Sequence, residues 1–291
     1  MAAEASTAEH AGPTPGEYIG HHLTHLRTHE QNGIIDFSVI NLDSVFWSIF
    51  VGVLGLLFIW RVSKRATAGV PTRTQAAVEF LFEMVDNQAK SIVHNAASRK
   101  FVVPLALTVF VWIFLMNAMD FLPVDLLPRI WAWIFGLAGH DTHHAYLRVV
   151  PTADLSTTLG LSISVLLICI YYNIKIKGLG GWAHELVAAP FGNHWALYPF
   201  NFLFQMIEFT AKTVSHGMRL FGNMYAGELV FMLIALLGAV GFGSATGVVL
   251  WIAHVLAGTG WILFHILIVA LQAFIFMMLT LVYVGQAHDH H

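Results

Sequence analysis

Four charged side chains interrupt the long apolar run from Tyr198 to Val240: Glu208, Lys212, Arg219 and Glu228. If that run crosses a membrane, each costs on the order of 3 kcal/mol or more at a helix centre unless it is paired or hydrated. At ~100° per residue, Glu208, Lys212, Ser215, Arg219 and Asn223 share one helical stripe, within about 40° of Arg219, while Glu228 is turned by roughly 180°. At ~1.5 Å rise per residue, Glu208 and Glu228 are about 30 Å apart along the axis, with Arg219 between them. The pattern places two carboxylates in different surroundings on either side of a permanent positive charge. Arg suits the middle position because it stays protonated even when desolvated, whereas Lys loses its proton more readily.

A second run, Gly247 to Gln286, carries weaker groups in the same style. His254, His265, Gln272 and Tyr283 are 11, 7 and 11 residues apart, which returns each to nearly the same helical face. A single polar stripe on an apolar helix faces a neighbour or water. Imidazole relays protons near neutral pH, and a Gln amide orients a guanidinium or a water without holding charge. A satisfied packing histidine is the competing reading, stronger for His254 than for His265.

These stripes need membrane helices to hold them, and the composition supplies them. The 291 residues are 57% hydrophobic and 11% charged, with mean hydropathy +0.69, outside the range of a water-soluble globule. The expected fold is an all-α integral membrane protein with five or so membrane helices. Spans are expected at 44–62, 101–120, 153–175, 198–240 and 247–286, the last two long and steeply tilted. As one helix, 247–286 measures roughly 60 Å, twice the hydrocarbon thickness. Residues 1–43 form a polar tail without the features of a cleavable signal peptide. Val78, Leu81, Phe82 and Val85 recur opposite Glu79, Glu83 and Asp86, which predicts an amphipathic helix over 73–100, at the membrane surface or packed on a neighbour. Residues 121–151, with Trp131 and Trp133, suit a re-entrant hairpin at the interface.

Basic residues set the orientation. Arg27 stands alone in the tail, whereas Arg61, Lys64, Arg65, Arg73, Lys90, Arg99 and Lys100 follow the first span, and Lys175 and Lys177 follow the third. The positive-inside rule puts the N-terminus outside and the C-terminus in the cytoplasm. With 14 basic against 17 acidic residues there is no basic stripe for nucleic acid, and the single Cys169 excludes an internal disulfide. The 17 histidines suggest metal at first, but most lie in segments expected to be solvated: His10, His21, His22, His25 and His29 in the tail, His140, His143 and His144 in a loop, and His288, His290 and His291 at the end. There is no HExxH spacing, and no metal site is expected. His216, His254 and His265 differ because each is embedded in an apolar run.

Around Arg219 the sequence reads Met218-Arg219-Leu220-Phe221-Gly222-Asn223-Met224-Tyr225-Ala226-Gly227-Glu228-Leu229. It resembles the signature of subunit a of rotary ATP synthases. Phe264-His265-Ile266-Leu267-Ile268 and Leu271-Gln272-Ala273-Phe274-Ile275-Phe276 are similar to that family's last helix. Met119-Asp120-Phe121-Leu122-Pro123-Val124-Asp125 and Leu147-Arg148-Val149-Val150-Pro151-Thr152-Ala153-Asp154 match its bacterial form, and the likeness begins at Tyr18-Ile19-Gly20-His21-His22.

The resemblance implies a stator subunit that offers two offset half-channels to a rotating ring of c subunits in a bacterial inner membrane. Such a subunit is not catalytic alone and uses no cofactor. Its implied partners are the c-subunit ring, the peripheral-stalk b subunits, the lipid bilayer and, indirectly, the soluble catalytic head. Arg219 would face the ring, with Asn223 and Gln272 as polar neighbours. Glu228 and His265 would form the outer proton path, and Glu208, Lys212 and Ser215 would lie toward the inner exit. Asp43, Asp120, Asp125, Arg148 and Asp154 match outer-side polar positions, as proton-handling groups or as ion pairs that anchor loops. Two other classes are weaker. A secondary transporter commonly shows related halves, and no repeat links 40–150 to 198–286. A haem-binding electron carrier using His216, His254 or His265 needs paired axial ligands on facing helices.

Overall fold

A computed structural model describes residues 15–29, 36, 38–123, 126–137, 139, 146–188, 191–192, 194–239 and 243–287. Among the described residues eight α-helices run in chain order: α1 Pro15–Leu23, α2 Leu42–Lys64, α3 Arg73–Ile92, α4 Ala96–Ala118, α5 Leu126–Leu137, α6 Leu155–Ala188, α7 Tyr198–Gly238 and α8 Ala245–Gln286. Helices α2, α4, α6, α7 and α8 are long and apolar enough to cross a membrane. At ~1.5 Å per residue, the 41 residues of α7 and 42 of α8 exceed a ~30 Å hydrocarbon core about twofold, so both must lie at a steep tilt.

Side-chain caps mark several helix starts. The Thr72 hydroxyl accepts from Gln75 N at 3.4 Å, Asn95 Oδ1 accepts from Ala97 N at 2.9 Å, and Ser244 Oγ accepts from Gly247 N at 3.0 Å. The Asn95 cap divides the amphipathic segment expected over 73–100. Helix α3 stops at Ile92, and Arg99 and Lys100 belong to the first turn and a half of α4. Val85 and Ala89 of α3 are fully buried while Phe80 and Phe82 remain exposed, so this helix packs on its neighbours and keeps an apolar outer edge. Of the segment expected as a re-entrant hairpin, the structure describes one 12-residue helix, α5, at ~18 Å too short to span.

Helix α6 runs past the end expected for the third span and bends at Gly178, where φ is 73° and ψ 162°, a backbone conformation open to glycine but not to most residues. Lys177 and Glu185 bridge the bend at 2.8 Å. The core lies where α4, α7 and α8 meet, with Ile113, Met116, Leu220, Met224, Val269 and Met277 all but inaccessible. Helices α6 and α7 approach closely at Gly217, where a Cβ would stand 2.9 Å from Leu159 Cδ2, and the Ser162 hydroxyl donates to Thr213 O at 2.5 Å.

Candidate proton-path site

Helices α7 and α8 pair antiparallel, and their polar stripes meet in register. From one end to the other, His254 Nδ1 lies 2.6 Å from Ile234 O, His265 packs on Gly227, and Asn223 Nδ2 donates to Gln272 Oε1 at 2.8 Å. Further on, His216 stacks on Phe276, and Lys212 Nζ donates to Gln286 Oε1 at 3.1 Å beside the Tyr283 ring. The contact of His254 with a backbone carbonyl accounts for that residue as a packing histidine.

Three groupings result. The first surrounds Glu228. Arg148, carried by the segment that leads into α6, donates from Nη2 to Glu228 Oε2 at 2.5 Å and from Nε at 3.1 Å, with its guanidinium near the Tyr225 ring. Arg148 Nη1 is 3.0 Å from His25 Nε2, and His25 Nδ1 is 3.4 Å from Asp43 Oδ1. Asp43 Oδ2 accepts the backbone N–H groups of Leu26 and Arg148, both at 3.1 Å. A buried chain therefore runs Glu228, Arg148, His25, Asp43. His25 corrects the reading of the tail as solvated: it is buried between an acid and an arginine, because residues 24–29 fold back along the start of α2, with Leu42 N donating to Leu26 O at 2.9 Å.

The second grouping adjoins the first across Gly227. His265 Nε2 lies 2.7 Å from Asp120 Oδ2, close as an ion pair but not aligned as a hydrogen bond. Both side chains are buried, and the imidazole is ringed by Phe121, Phe231 and Trp261 at centroid distances of 5.6, 5.1 and 5.9 Å. A Cβ on residue 227 would stand 2.5 Å from His265 Cε1, so only glycine fits there without displacement. Ser44 Oγ, Thr152 Oγ1 and both polar side-chain atoms of Asn117 are also buried with no hydrogen-bond partner among the described residues. Such groups suit ordered water. Asp154 is different: its Oδ1 caps α6 through Ser156 N at 3.0 Å, and its Oδ2 accepts from Asn41 Nδ2 at 3.0 Å, a loop anchor. Asp125 lies outside the described residues.

The third grouping is at the opposite end of α7. Glu208 and Lys212 form an i,i+4 pair at 2.6 Å. They line a cavity of about 1040 Å³ between α6, α7 and α8, together with Cys169, Asn173, the Lys177–Glu185 pair, His216 and Tyr283. Between the ends, Arg219 is half-exposed and has no hydrogen bond or ion pair among the described residues. Ser215 and Asn223 are exposed on the same stripe, flanked on α7 by exposed Val214 and Met218. A guanidinium presented at membrane depth from an apolar face requires a polar group from outside the chain.

Sequence comparison gives the same result from a different direction. Residues 45–285 match the family model described as "ATP synthase A chain". ATP synthase subunit a of Paracidovorax citrulli (strain AAC00-1) is 65% identical over 297 residues, and that of Acidovorax sp. (strain JS42) is likewise 65% identical over 297 residues, each covering 100% of both chains. The Verminephrobacter eiseniae (strain EF01-2) protein of the same name is 60% identical over 285 residues, 96% of this chain and 98% of its own. With matches that span its whole length and a helix pair whose arginine has no polar partner among the described residues, the chain belongs to the ATP synthase subunit a family.

Proposed function

We propose that Arg219 separates two half-channels, one at the Glu228 and His265 clusters and one at the Glu208–Lys212 cavity, and that both deliver protons to a ring carboxylate held outside this chain. The chain is the proton-translocating membrane-sector stator subunit of ATP synthase, and it is not catalytic alone. The observation that carries the residue-level reading is the half-buried guanidinium of Arg219, without a polar partner among the described residues, between polar clusters toward opposite ends of α7.

The steps follow from electrostatics. A proton arriving past Asp43, Arg148, Glu228, Asp120 and His265 neutralises a ring carboxylate, which can then rotate into lipid, where the ionised form would be too costly. On return, the positive charge of Arg219 favours the ionised carboxylate, and the proton leaves through the cavity lined by Lys212 and Glu208. Asn223 and Gln272, joined to each other, hold the polar stripe beside Arg219, and Ser215 extends it toward the exit. Arg219 also opposes direct passage between half-channels, because a proton approaching it meets like charge at low dielectric. Each proton moved through ~100 mV supplies about 2.3 kcal/mol, so several are used per ATP.

The ring of c subunits is the partner for the Arg219 face, and peripheral-stalk b subunits and lipid cover other outer surfaces. The N-terminus lies outside and the C-terminus in the cytoplasm. Basic residues support that orientation, being concentrated at the α2–α3 connection and at Lys175 and Lys177, the end that also carries the cavity. The test is Arg219→Ala in membrane vesicles holding the whole complex. ATP synthesis should be lost while the complex still assembles, and normal synthesis by this variant overturns the reading.

A further inference from the structure

His216 is a polar residue of α7 that neither half-channel cluster has absorbed. It is 2% exposed, stacks on Phe276 at a centroid distance of 3.7 Å and meets the Tyr283 ring at 5.7 Å. Its Nε2 is buried with no hydrogen-bond partner among the described residues, and its ring forms part of the wall of the Glu208–Lys212 cavity. A slot between two aromatic rings is filled without penalty by Leu or Met. An imidazole nitrogen buried there unpaired is destabilising, a cost that packing does not explain.

Position along α7 suggests what it does. His216 is four residues from Lys212 and three from Arg219, about 6 and 4.5 Å of helical rise. Between those two cations α7 carries no other titratable side chain. From the other helices, Cys169 of α6 and Tyr283 of α8 face the same space, with Lys177, His184 and Glu185 further along the wall, past the bend in α6. The cavity's acid–base pair and the arginine are thus joined along α7 by one side chain that can both accept and donate a proton.

We propose that His216, in the wall of the inner cavity between Lys212 and Arg219, is its proton relay, an inference that rests on the half-channel reading above. The proton given up by the ring's carboxylic acid reaches the neutral imidazole through water in the cavity, leaving a carboxylate opposite Arg219 and an imidazolium at residue 216. The imidazolium then gives a proton to water in the cavity beside Glu208 and returns to neutral. The like charge of Arg219 drives this second transfer toward the cavity.

The experiment uses inverted membrane vesicles carrying the complete complex, with ATP-driven proton pumping as readout and native gels to check assembly. His216→Leu fills the slot without a titratable group and should lower pumping at least about tenfold, in line with the contribution of a positioned proton-transfer group. His216→Gln, which hydrogen-bonds but does not titrate, should be as slow. His216→Ala should be restored by added imidazole, and by methylimidazoles in an order that follows their basicity, an effect that a packing role does not produce. Pumping within about twofold of the parent by an assembled Leu or Gln variant overturns the relay. If the Ala variant fails to assemble, the Leu and Gln variants decide alone; if it assembles and imidazole leaves its rate unchanged, the relay is also overturned. Arg219→Ala separates the two ideas: normal synthesis by that variant refutes the half-channel reading, whereas a dead Arg219→Ala beside a fully active His216→Leu refutes only the relay.

Discussion

Replacing Arg148 by methionine removes one half of the buried Arg148–Glu228 ion pair. The side chains of Arg148 and Glu228 are 4% and 10% exposed, so solvent screening offsets little of the loss. The guanidinium donates at 2.5 and 3.1 Å to Glu228 Oε2 and contacts His25 at 3.0 Å. Removing one member of a buried pair costs about 3–5 kcal/mol, because the other charge is left uncompensated, whereas replacing both members costs little or nothing. At 1.4 kcal/mol per tenfold, 3 kcal/mol is more than about 100-fold in an equilibrium constant. The assay is stepwise heating of the detergent-extracted complex, followed by native gels for retention of this subunit. Arg148→Met should release the subunit at clearly lower temperature, and Arg148→Met with Glu228→Gln should return toward the parent. Proton pumping should be poor in both, since the double variant keeps the fold and lacks the carboxylate. A single variant as heat-stable as the parent, or a double variant no better than the single, refutes the idea that this pair supports both structure and path.

Gly227→Ala brings a Cβ to 2.5 Å from His265 Cε1 and should cost about 1–3 kcal/mol as overpacking while displacing the imidazole from Asp120. Proton pumping should fall, whereas Gly160→Ala, with nothing within 4 Å of its Cβ, should pump like the parent. Asp154→Ala should loosen the start of α6 by about 1 kcal/mol, seen as faster amide exchange over residues 155–158, and should depress pumping less than Gly227→Ala does.

The stripes on α7 and α8 were legible in the sequence because charges in an apolar run are expensive enough to stand out, and helical periodicity assigns them a face. Periodicity does not say which face of one helix meets which face of another, so the pairing of Asn223 with Gln272 and of His216 with Phe276 needed the fold. Arg148 could be placed only among outer-side polar groups, proton-handling or loop-anchoring, since nothing local connects it to a glutamate 80 positions away. His25 was hidden for the opposite reason. It lies among polar tail residues with no periodic pattern, and only the return of Leu26 against Leu42 carries it to Asp43. The bend in α6 had a visible signal in the glycines at 178, 180 and 181, but a span drawn from apolar length stops at Lys175 and Lys177, whereas the helix resumes beyond the bend to Ala188.

The lengths on α7 explain why the two polar regions do not make a pore. Glu228 is nine residues beyond Arg219 and Lys212 is seven before it, about 13.5 and 10.5 Å of rise, or roughly 24 Å together, nearly the ~30 Å of the hydrocarbon core. A proton moving straight along the helix would have to pass Arg219 at the midpoint, where it meets a fixed positive charge in a medium that screens poorly. A sideways exit is open instead: Arg219, Ser215 and Asn223 face outward between apolar neighbours, so the transfer between regions must be carried by a group on another surface. An overlong, tilted α7 serves that geometry, because tilt separates the two regions laterally as well as in depth. The carrier that picks up a proton at one region must therefore travel across the face before it can release it at the other, which couples ion movement to displacement of the partner.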